Sequence, residues 1–449
     1  MKYCNFVSNF NKIHFVGVGG VSMSAICEYS KECGVSVSGS DMTSSNRTEK
    51  LKSLGCEIKI GHSSKNVRGA DALVYTGATD DTNPEIRYAK KKRIPIFSRG
   101  EFLGGIISDY KNSVAVSGCH GKTTATAMIA NALIRAGKDP TVFLGGDDFD
   151  FGNFRLGNSD YLALEACEYK KSFLHFKPKI AVVLNVGDDH LDTYGNLDGI
   201  IDGFREFIGD SIAVVNADDE NCKKVFNAST LTFGIENSAH YYATKIKFDG
   251  KFYSFVLNAY TKSYGRVKLK AEGRHNIYNA LATFAVCDIL GIPFDKIKNA
   301  LENFNGIKRR NEYLGEKNGV KYFADYAHHP KELQAMIKVY DENKGEYITV
   351  FQPHTYSRTK YLMDDFVGVL KNQSPLIIYK TYPAREDFDA DGSALKLYDE
   401  LKNSGVKDVY YVNDEIELAS VIERHAMNID KVIIFGAGDI YEIVNSLLV

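Results

Sequence analysis

A short apolar run that ends in a glycine turn and continues as an amphipathic helix commits a chain to α/β architecture, because such a strand needs cover on both faces. Here Ser113-Val-Ala-Val leads to Gly118-Cys-His-Gly-Lys-Thr-Thr. The helix predicted next carries Ile129, Ala132, Leu133 and Ala136 at i, i+3, i+4 and i+7, one apolar face. Glycines at 118 and 121 let backbone N–H groups close on an anion, and the helix N-terminus adds a favourable dipole. Lys122 supplies a point charge, and the Thr123 hydroxyl suits a divalent cation. The spacing is shorter than the common G-x-x-x-x-G-K-[ST], since only Cys119 and His120 separate the two glycines. An ordinary glycine turn before a helix is the plain alternative. The strand ahead of it and Lys-Thr-Thr in register favour a phosphate loop.

Two further segments repeat the strand–turn–helix pattern. The first has a strand at 13–16, then Gly17-Val-Gly-Gly, a helix to about Cys33, and a second strand at 35–38 ending near Asp41. That is a βαβ unit. In the second segment, further strands are expected at 161–164 and 181–185, and the stretch 218–260 reads as β-rich and turn-rich. The third has strands near 347–351, 376–379, 409–412 and 432–435, with helix between them, for example 331–340. This predicts an α/β chain of three domains, 1–107, 108–312 and 313–449, with no internal repeat or low-complexity linker.

A chain of 449 residues is too long for one ordinary core, and 44% hydrophobic with 25% charged residues is typical of globular protein. A net charge of -2 gives no electrostatic case for nucleic acid. The one basic run, Lys90-Lys-Lys-Arg, reads as a solvated helix end. The first eleven residues lack the apolar stretch of a signal peptide, and no window holds the ~18 apolar residues of a spanning helix. The 8 cysteines are scattered without a C-x-x-C pair, which predicts free thiols, no zinc and a cytoplasmic location.

A phosphate loop says nucleoside triphosphate and not what is done with it. Glu165 follows one predicted strand end, and His190 and Asp192 follow another. Strand ends beside a phosphate loop are where Mg2+ ligands belong in an open sheet. Taken singly, Glu165 reads as a surface carboxylate and His190 as a loop histidine.

Together these motifs resemble the Mur ligases. The phosphate loop, Gly118 to Thr124 with Cys119 and His120, resembles their ATP loop. Glu165-Ala-Cys-Glu-Tyr and Asn185-Val-Gly-Asp-Asp-His-Leu-Asp are similar to their Mg2+ motifs, and Gly273-Arg-His-Asn-Ile-Tyr-Asn to their nucleotide-contacting helix start. Gly306-Ile-Lys-Arg-Arg-Asn-Glu resembles the hinge. Asp325-Tyr-Ala-His-His-Pro and Phe351-Gln-Pro-His-Thr-Tyr-Ser-Arg-Thr resemble the C-terminal motifs. The likeness runs in order along nearly the whole chain. It implies a Rossmann-like N-terminal domain for a UDP sugar, a central P-loop ATPase domain and a Rossmann-like C-terminal domain that closes over the site. The implied reaction takes ATP, UDP-N-acetylmuramate and L-alanine through an acyl phosphate, with Mg2+ as cofactor and no nucleic-acid or membrane partner. By motif position Lys122 and Thr123 hold phosphate and metal, and Glu165 and His190 serve the metal. Asn276 and Asn279 contact ATP, and Arg310 acts from the hinge. Asp325 and His328 are the other catalytic candidates. Gly17, Gly19, Gly20, Ser22, Asp41 and His62 belong to the UDP-sugar side, and His354 and Arg358 to the alanine side.

There are departures from the family pattern. Ser22 stands where a dinucleotide fingerprint has its third glycine, which weakens a nicotinamide reading and suits a UDP site. Ala324 replaces a second acid before Asp325. Thr355 replaces an arginine, which favours Arg358 for a substrate carboxylate. The stretch 193–209 has no lysine, so no carbamylated lysine is expected. A sister ligase using another amino acid or a recycled peptide, and a non-catalytic nucleotide-binding protein, are the rival readings.

Overall fold

The apolar runs become strands because helices cover both faces of the sheets they join. In the computed structural model, which describes residues 3–188, 190–342, 346–426 and 429–448, three sheets form. The chain divides into two compact units. One comprises Met1–Phe248, Tyr253–Ala271 and Asn276–Asn305; the other comprises Gly306–Val449 with Asp249–Phe252 and Glu272–His275.

The first unit holds two sheets. One is all parallel, in the order Glu57–Ile60, Ser36–Asp41, Lys12–Val16, Ala72–Tyr75, Ile96–Ser98. The chain enters at the centre and winds outward both ways, as in dinucleotide-type folds. The second strand is longer than expected, so Asp41 is its last residue. The other sheet has a parallel middle ordered Thr230–Gly234, Ile212–Asn216, Ile180–Val183, Asn112–Ser117, Tyr161–Glu165, Thr141–Asp148. Strand Gly152–Arg155 closes one edge antiparallel. Tyr241–Phe248, Tyr253–Ala259 and Lys262–Lys268 extend the other, which accounts for the β-rich stretch.

These two sheets share one core, which is why they form a single unit. Tyr29, on the helix Val21–Glu32, packs against Phe143 and Phe154 of the larger sheet, with ring centres 5.6 and 6.3 Å apart. Arg47 pairs through two nitrogens with Asp147, at 2.8 and 3.3 Å. The helix Pro84–Lys92 ends at Arg93 in the left-handed region, with Lys90, Lys91 and Lys92 exposed, as the basic run suggested.

The second unit is a six-stranded sheet in the order Glu312–Lys317, Val320–Asp325, Lys431–Phe435, Tyr347–Phe351, Leu376–Tyr379, Val409–Val412. Only the first pairing is antiparallel. Its two faces bury separate clusters, one around Leu333, Phe351 and Leu397, the other around Ile348, Val350 and Leu418.

The expectation of unpaired thiols throughout is corrected at two positions. Cys4 and Cys33 form a disulfide, and the other six cysteines are free. The turn Val7–Asn9 buries Val7, and Tyr29 donates to the Tyr3 carbonyl at 2.6 Å, which brings the N-terminal segment to the helix end capped by Cys33. A sequence separation of 29 residues hides that approach. Among the described residues no helix is long and apolar enough to cross a membrane.

Candidate active site

Strand Asn112–Ser117 lies between Tyr161–Glu165 and Ile180–Val183, with Val116 opposite Glu165 and Ser117 opposite Val183. The loops leaving these three strands therefore meet at one sheet edge. The first is the phosphate loop. Gly118 has φ +136 and Gly121 has φ +85, and a Cβ on Gly121 would stand 2.8 Å from Asn279 Oδ1, so only glycine fits there. Asn185, at the end of the third strand, braces the loop. Its Oδ1 accepts from His120 N at 2.9 Å, and its Nδ2 donates to His120 O at 3.0 Å. Asn279 Nδ2 donates to Asn276 Oδ1 at 2.8 Å on the helix His275–Ile289. Thr124 lies in the first turn of the helix Lys122–Arg135.

Two carboxylates engage the side chains of Thr123 and Lys122. Thr123 Oγ1 donates to Glu165 Oε2 at 2.7 Å, and Gly145 N donates to the same oxygen at 2.9 Å. Lys122 Nζ folds back on the carbonyls of Gly118 and Cys119, at 2.6 and 3.2 Å, and pairs with Glu168 Oε1 at 3.2 Å. Burial pulls the Lys122 pKa down, but Glu168, then Cys167 and Glu165, outweigh it and hold the ammonium well above its ordinary range. Glu168 is 1% exposed, and its Oε2 has no hydrogen-bond partner among the described residues. His190 Nε2 stands 4.0 Å from Glu168 Oε1, its residue in the left-handed region at φ +61. The side chain of Asp192 lies outside the described residues.

Glu168 was not among the residues singled out from sequence. Its signal was present, three positions beyond Glu165 in the same motif. A buried carboxylate oxygen with no donor among the described residues and a threonine hydroxyl are hard ligands suited to a small divalent cation that keeps waters and phosphates as its other ligands, and the nearby imidazole can reach it directly or through one of those waters. Among the described residues no three His, Cys, Asp or Glu side chains group as a preformed metal cage. That is compatible with such sparse ligation.

At the matching edge of the five-stranded sheet, Gly17 turns at φ +86 and its N–H donates to Ser40 O at 2.8 Å. Gly19 N donates to Asp41 Oδ2 at 2.8 Å, and Gly20 caps the helix that contains Ser22. His62 reaches the same edge, with Nδ1 2.9 Å from Ser40 Oγ.

The second unit gathers its own group of candidates. Asp325 ends its strand buried, with Oδ2 accepting from Asn311 N and Oδ1 from Ala327 N, both at 2.8 Å. Burial raises the Asp325 carboxyl to about 6, against the lowering effect of Arg310. His328 and His354 lie with ring centres 5.6 Å apart, and Arg358 Nη1 is 3.2 Å from His354 Nδ1. Burial lowers His328 to about 4 and His354 to about 3, so both are neutral near pH 7. The two adjacent arginines make different contacts. Arg309 lies over Tyr326 and Tyr441, 5.0 Å from each ring centre, and donates to the Gly436 and Gly438 carbonyls. Arg310 lies 5.1 Å from the Tyr326 ring centre.

Three family models match the chain in series. They are the Mur ligase family catalytic domain over 12–111, the Mur ligase middle domain over 116–287 and the Mur ligase glutamate ligase domain over 309–438. The UDP-N-acetylmuramate–L-alanine ligase of Caldanaerobacter subterraneus is 42% identical, covering 97% of each chain. The crystal structure of the UDP-N-acetylmuramate-alanine ligase of Thermotoga maritima superposes with a TM-score of 0.83 at 31% identity, over 97% of this chain and 98% of that one. A murein peptide ligase from Psychrobacter arcticus shares the fold, with a TM-score of 0.73 at 22% identity over 97% and 98% of the two chains.

Proposed function

The chain belongs to the Mur ligase family, and from that premise we propose that it is the ATP-dependent ligase joining L-alanine to UDP-N-acetylmuramate. The observation that carries the reading is the meeting of Lys122, Thr123, Glu165, Glu168 and His190 at one sheet edge. The acceptor and the UDP sugar follow from relatives near 42% identity over 97% of the chain.

The chemistry needs this arrangement. A substrate carboxylate must attack a γ-phosphate, so two anions approach each other. Positive charge and backbone N–H groups at the phosphate loop reduce that repulsion and stabilise the transferring phosphoryl group. Lys122 would exchange its Glu168 and carbonyl contacts for phosphate oxygens. A bound Mg2+ would supply further charge neutralisation, held by Thr123, Glu168 and His190; Glu165, expected among the metal's ligands from its motif, is read instead as orienting the Thr123 hydroxyl that already donates to it. Asn276 and Asn279 serve the nucleotide, and Arg310 its phosphates. Gly17, Gly19, Gly20, Ser22, Asp41 and His62 serve the UDP sugar. His354 and Arg358 serve the alanine carboxylate. The ammonium of a free amino acid, held by its own adjacent carboxylate, titrates above a peptide N-terminus and is mostly protonated near pH 7, so it must lose a proton before it attacks. A neutral His328 can accept a hydrogen bond from that amine and orient it. Asp325, already engaged by two backbone N–H groups, fixes the segment that carries Arg310. The division 1–107, 108–312, 313–449 and a cytoplasmic location belong to the same reading.

Phosphate release from ATP and Mg2+ with UDP-N-acetylmuramate, supplied with each amino acid in turn, tests the proposal. Release that requires both the UDP sugar and L-alanine is the expected result. Release driven by another amino acid or by a peptide would move the chain to a sister ligase, and nucleotide binding without turnover would end the enzyme reading.

A further inference from the structure

Beside the glycine loop of the five-stranded sheet lies a carboxylate that the reaction above does not use. Glu85 stands in the first turn of the helix Pro84–Lys92 and is 0% exposed. Its Oε2 accepts from Ser40 Oγ at 2.6 Å and His62 Nδ1 at 3.1 Å. Its Oε1 accepts from Asn66 Nδ2 at 2.6 Å and Ser63 N at 3.2 Å. His14, equally buried, places Nε2 3.6 Å from Oε2, while its Nδ1 meets Ser38 Oγ at 3.0 Å. Burial pushes the Glu85 carboxyl up, but His14 and the Ser40 and Asn66 donors outweigh it and hold the group at about 2.

An ionised carboxylate can only accept, so the His62 proton sits on Nδ1. With Nδ1–H engaged in this way, the neutral form of the ring is the tautomer that presents its lone pair on Nε2. That atom has no protein hydrogen-bond partner among the described residues, and the His62 side chain keeps 14% exposure. Ser40 ties the two features together. Its hydroxyl binds Glu85, and its carbonyl accepts from Gly17 N and Val18 N of the glycine loop, at 2.8 and 3.2 Å.

We propose that Glu85 is a positioning residue for the UDP sugar: it fixes the proton on His62 Nδ1 and presents Nε2 to the uridine moiety as an acceptor. The matching ligand group is a hydrogen-bond donor, either the uracil imide N–H or the ribose 2′-hydroxyl. The inference rests on the reading that this sheet takes UDP-N-acetylmuramate.

Calorimetry on the intact chain with UDP as probe separates the two claims. If the wild type does not bind UDP, the reading of the substrate fails, and this inference falls with it. If it binds, Glu85→Gln turns an amide N–H2 toward the Ser40 and His62 donors, and UDP affinity should fall about tenfold. The KM for UDP-N-acetylmuramate should rise in parallel, with kcat and the ATP KM held within about twofold. His62→Phe leaves Glu85 and its other donors in place and should give the same split, so it carries the test alone if Glu85→Gln fails to fold. The N3-methyl and 2′-deoxy forms of UDP identify the donor. The one that contacts Nε2 binds the wild type weakly, yet binds His62→Phe as well as UDP does. UDP affinity near wild type in either folded variant overturns the proposal. So does an equal loss of ATP affinity, or wild-type binding indifferent to both modifications.

Discussion

Gly145→Ala should separate catalysis from folding at the phosphate loop. A Cβ at position 145 would stand 2.4 Å from Glu165 Oε2, 2.8 Å from its Cδ and 2.9 Å from Oε1. Ordinary contact begins near 3.4 Å, so the carboxylate must retreat by 3.4 − 2.4, or 1.0 Å. Position 145 has no left-handed φ, so alanine adds no backbone strain. The atoms that must move are the far end of a flexible, half-buried side chain, and the fold should lose less than about 1 kcal/mol. The functional loss is larger. Glu165 Oε2 accepts from both Gly145 N and Thr123 Oγ1; the half-buried carboxylate can trade the first of these for water as it retreats, but its displacement carries the Thr123 hydroxyl out of place. A misplacement of about 1 Å among catalytic groups lowers rate by about a hundredfold. Steady-state phosphate release over a range of Mg2+ concentrations should show kcat down about a hundredfold and more Mg2+ required for half-maximal rate, with a melting temperature close to wild type. A kcat within about twofold of wild type would refute the claim that Glu165 acts by holding Thr123.

Lys122→Ala should abolish turnover and also destabilise the first unit by about 3–5 kcal/mol, because Glu168 is left buried without its cation; thermal melts check this, and adding Glu168→Gln should recover stability and not activity. Glu168→Gln alone should weaken Mg2+ binding and lower kcat by about a hundredfold or more, measured by Mn2+ titration as well as by rate. The second unit should weaken in acid. His328 and His354 fold neutral and each take up a proton on unfolding once pH falls below about 6.5, whereas buried Asp325 gives one up between about 6 and 3.9. Near pH 5 the two gains outweigh the one loss, so stability should fall by about 1.4 kcal/mol per pH unit of acidification. His328→Gln should flatten that slope in denaturant melts of the intact chain at pH 5 and 6.

Strands 347–351, 376–379 and 409–412 fall where the apolar runs put them, since a run covered on both faces needs no alternation to be read. The phosphate loop was equally legible, because glycine at 121 and Lys-Thr at a helix start leave few other structures. What sequence hid was contact at long separation. Glu165 and Gly145 are 20 residues apart, and Glu85 and His62 are 23 apart; only the sheet order brings them together. Glu168 was visible as a letter in a motif, yet its burial and its pairing with Lys122, 46 residues away, were not. Arg309 and Arg310 are indistinguishable as a pair in the sequence. The left-handed φ of +62 at Arg309 and its two aromatic partners separate the one from the other. The Cys4–Cys33 bridge was missed because composition argued for free thiols, and nothing local to either cysteine argued against that.

The central claim is that the carboxylate of the UDP sugar is activated as an acyl phosphate before the amine attacks. If UDP-N-acetylmuramate labelled with oxygen-18 in its carboxylate is turned over with ATP and L-alanine, the carboxylate–phosphorus bond keeps one of those oxygens on the phosphate when the amine displaces it. Mass spectrometry of the released phosphate should therefore show one labelled oxygen for each turnover. Unlabelled phosphate, with product formed in the same amount, would contradict the account.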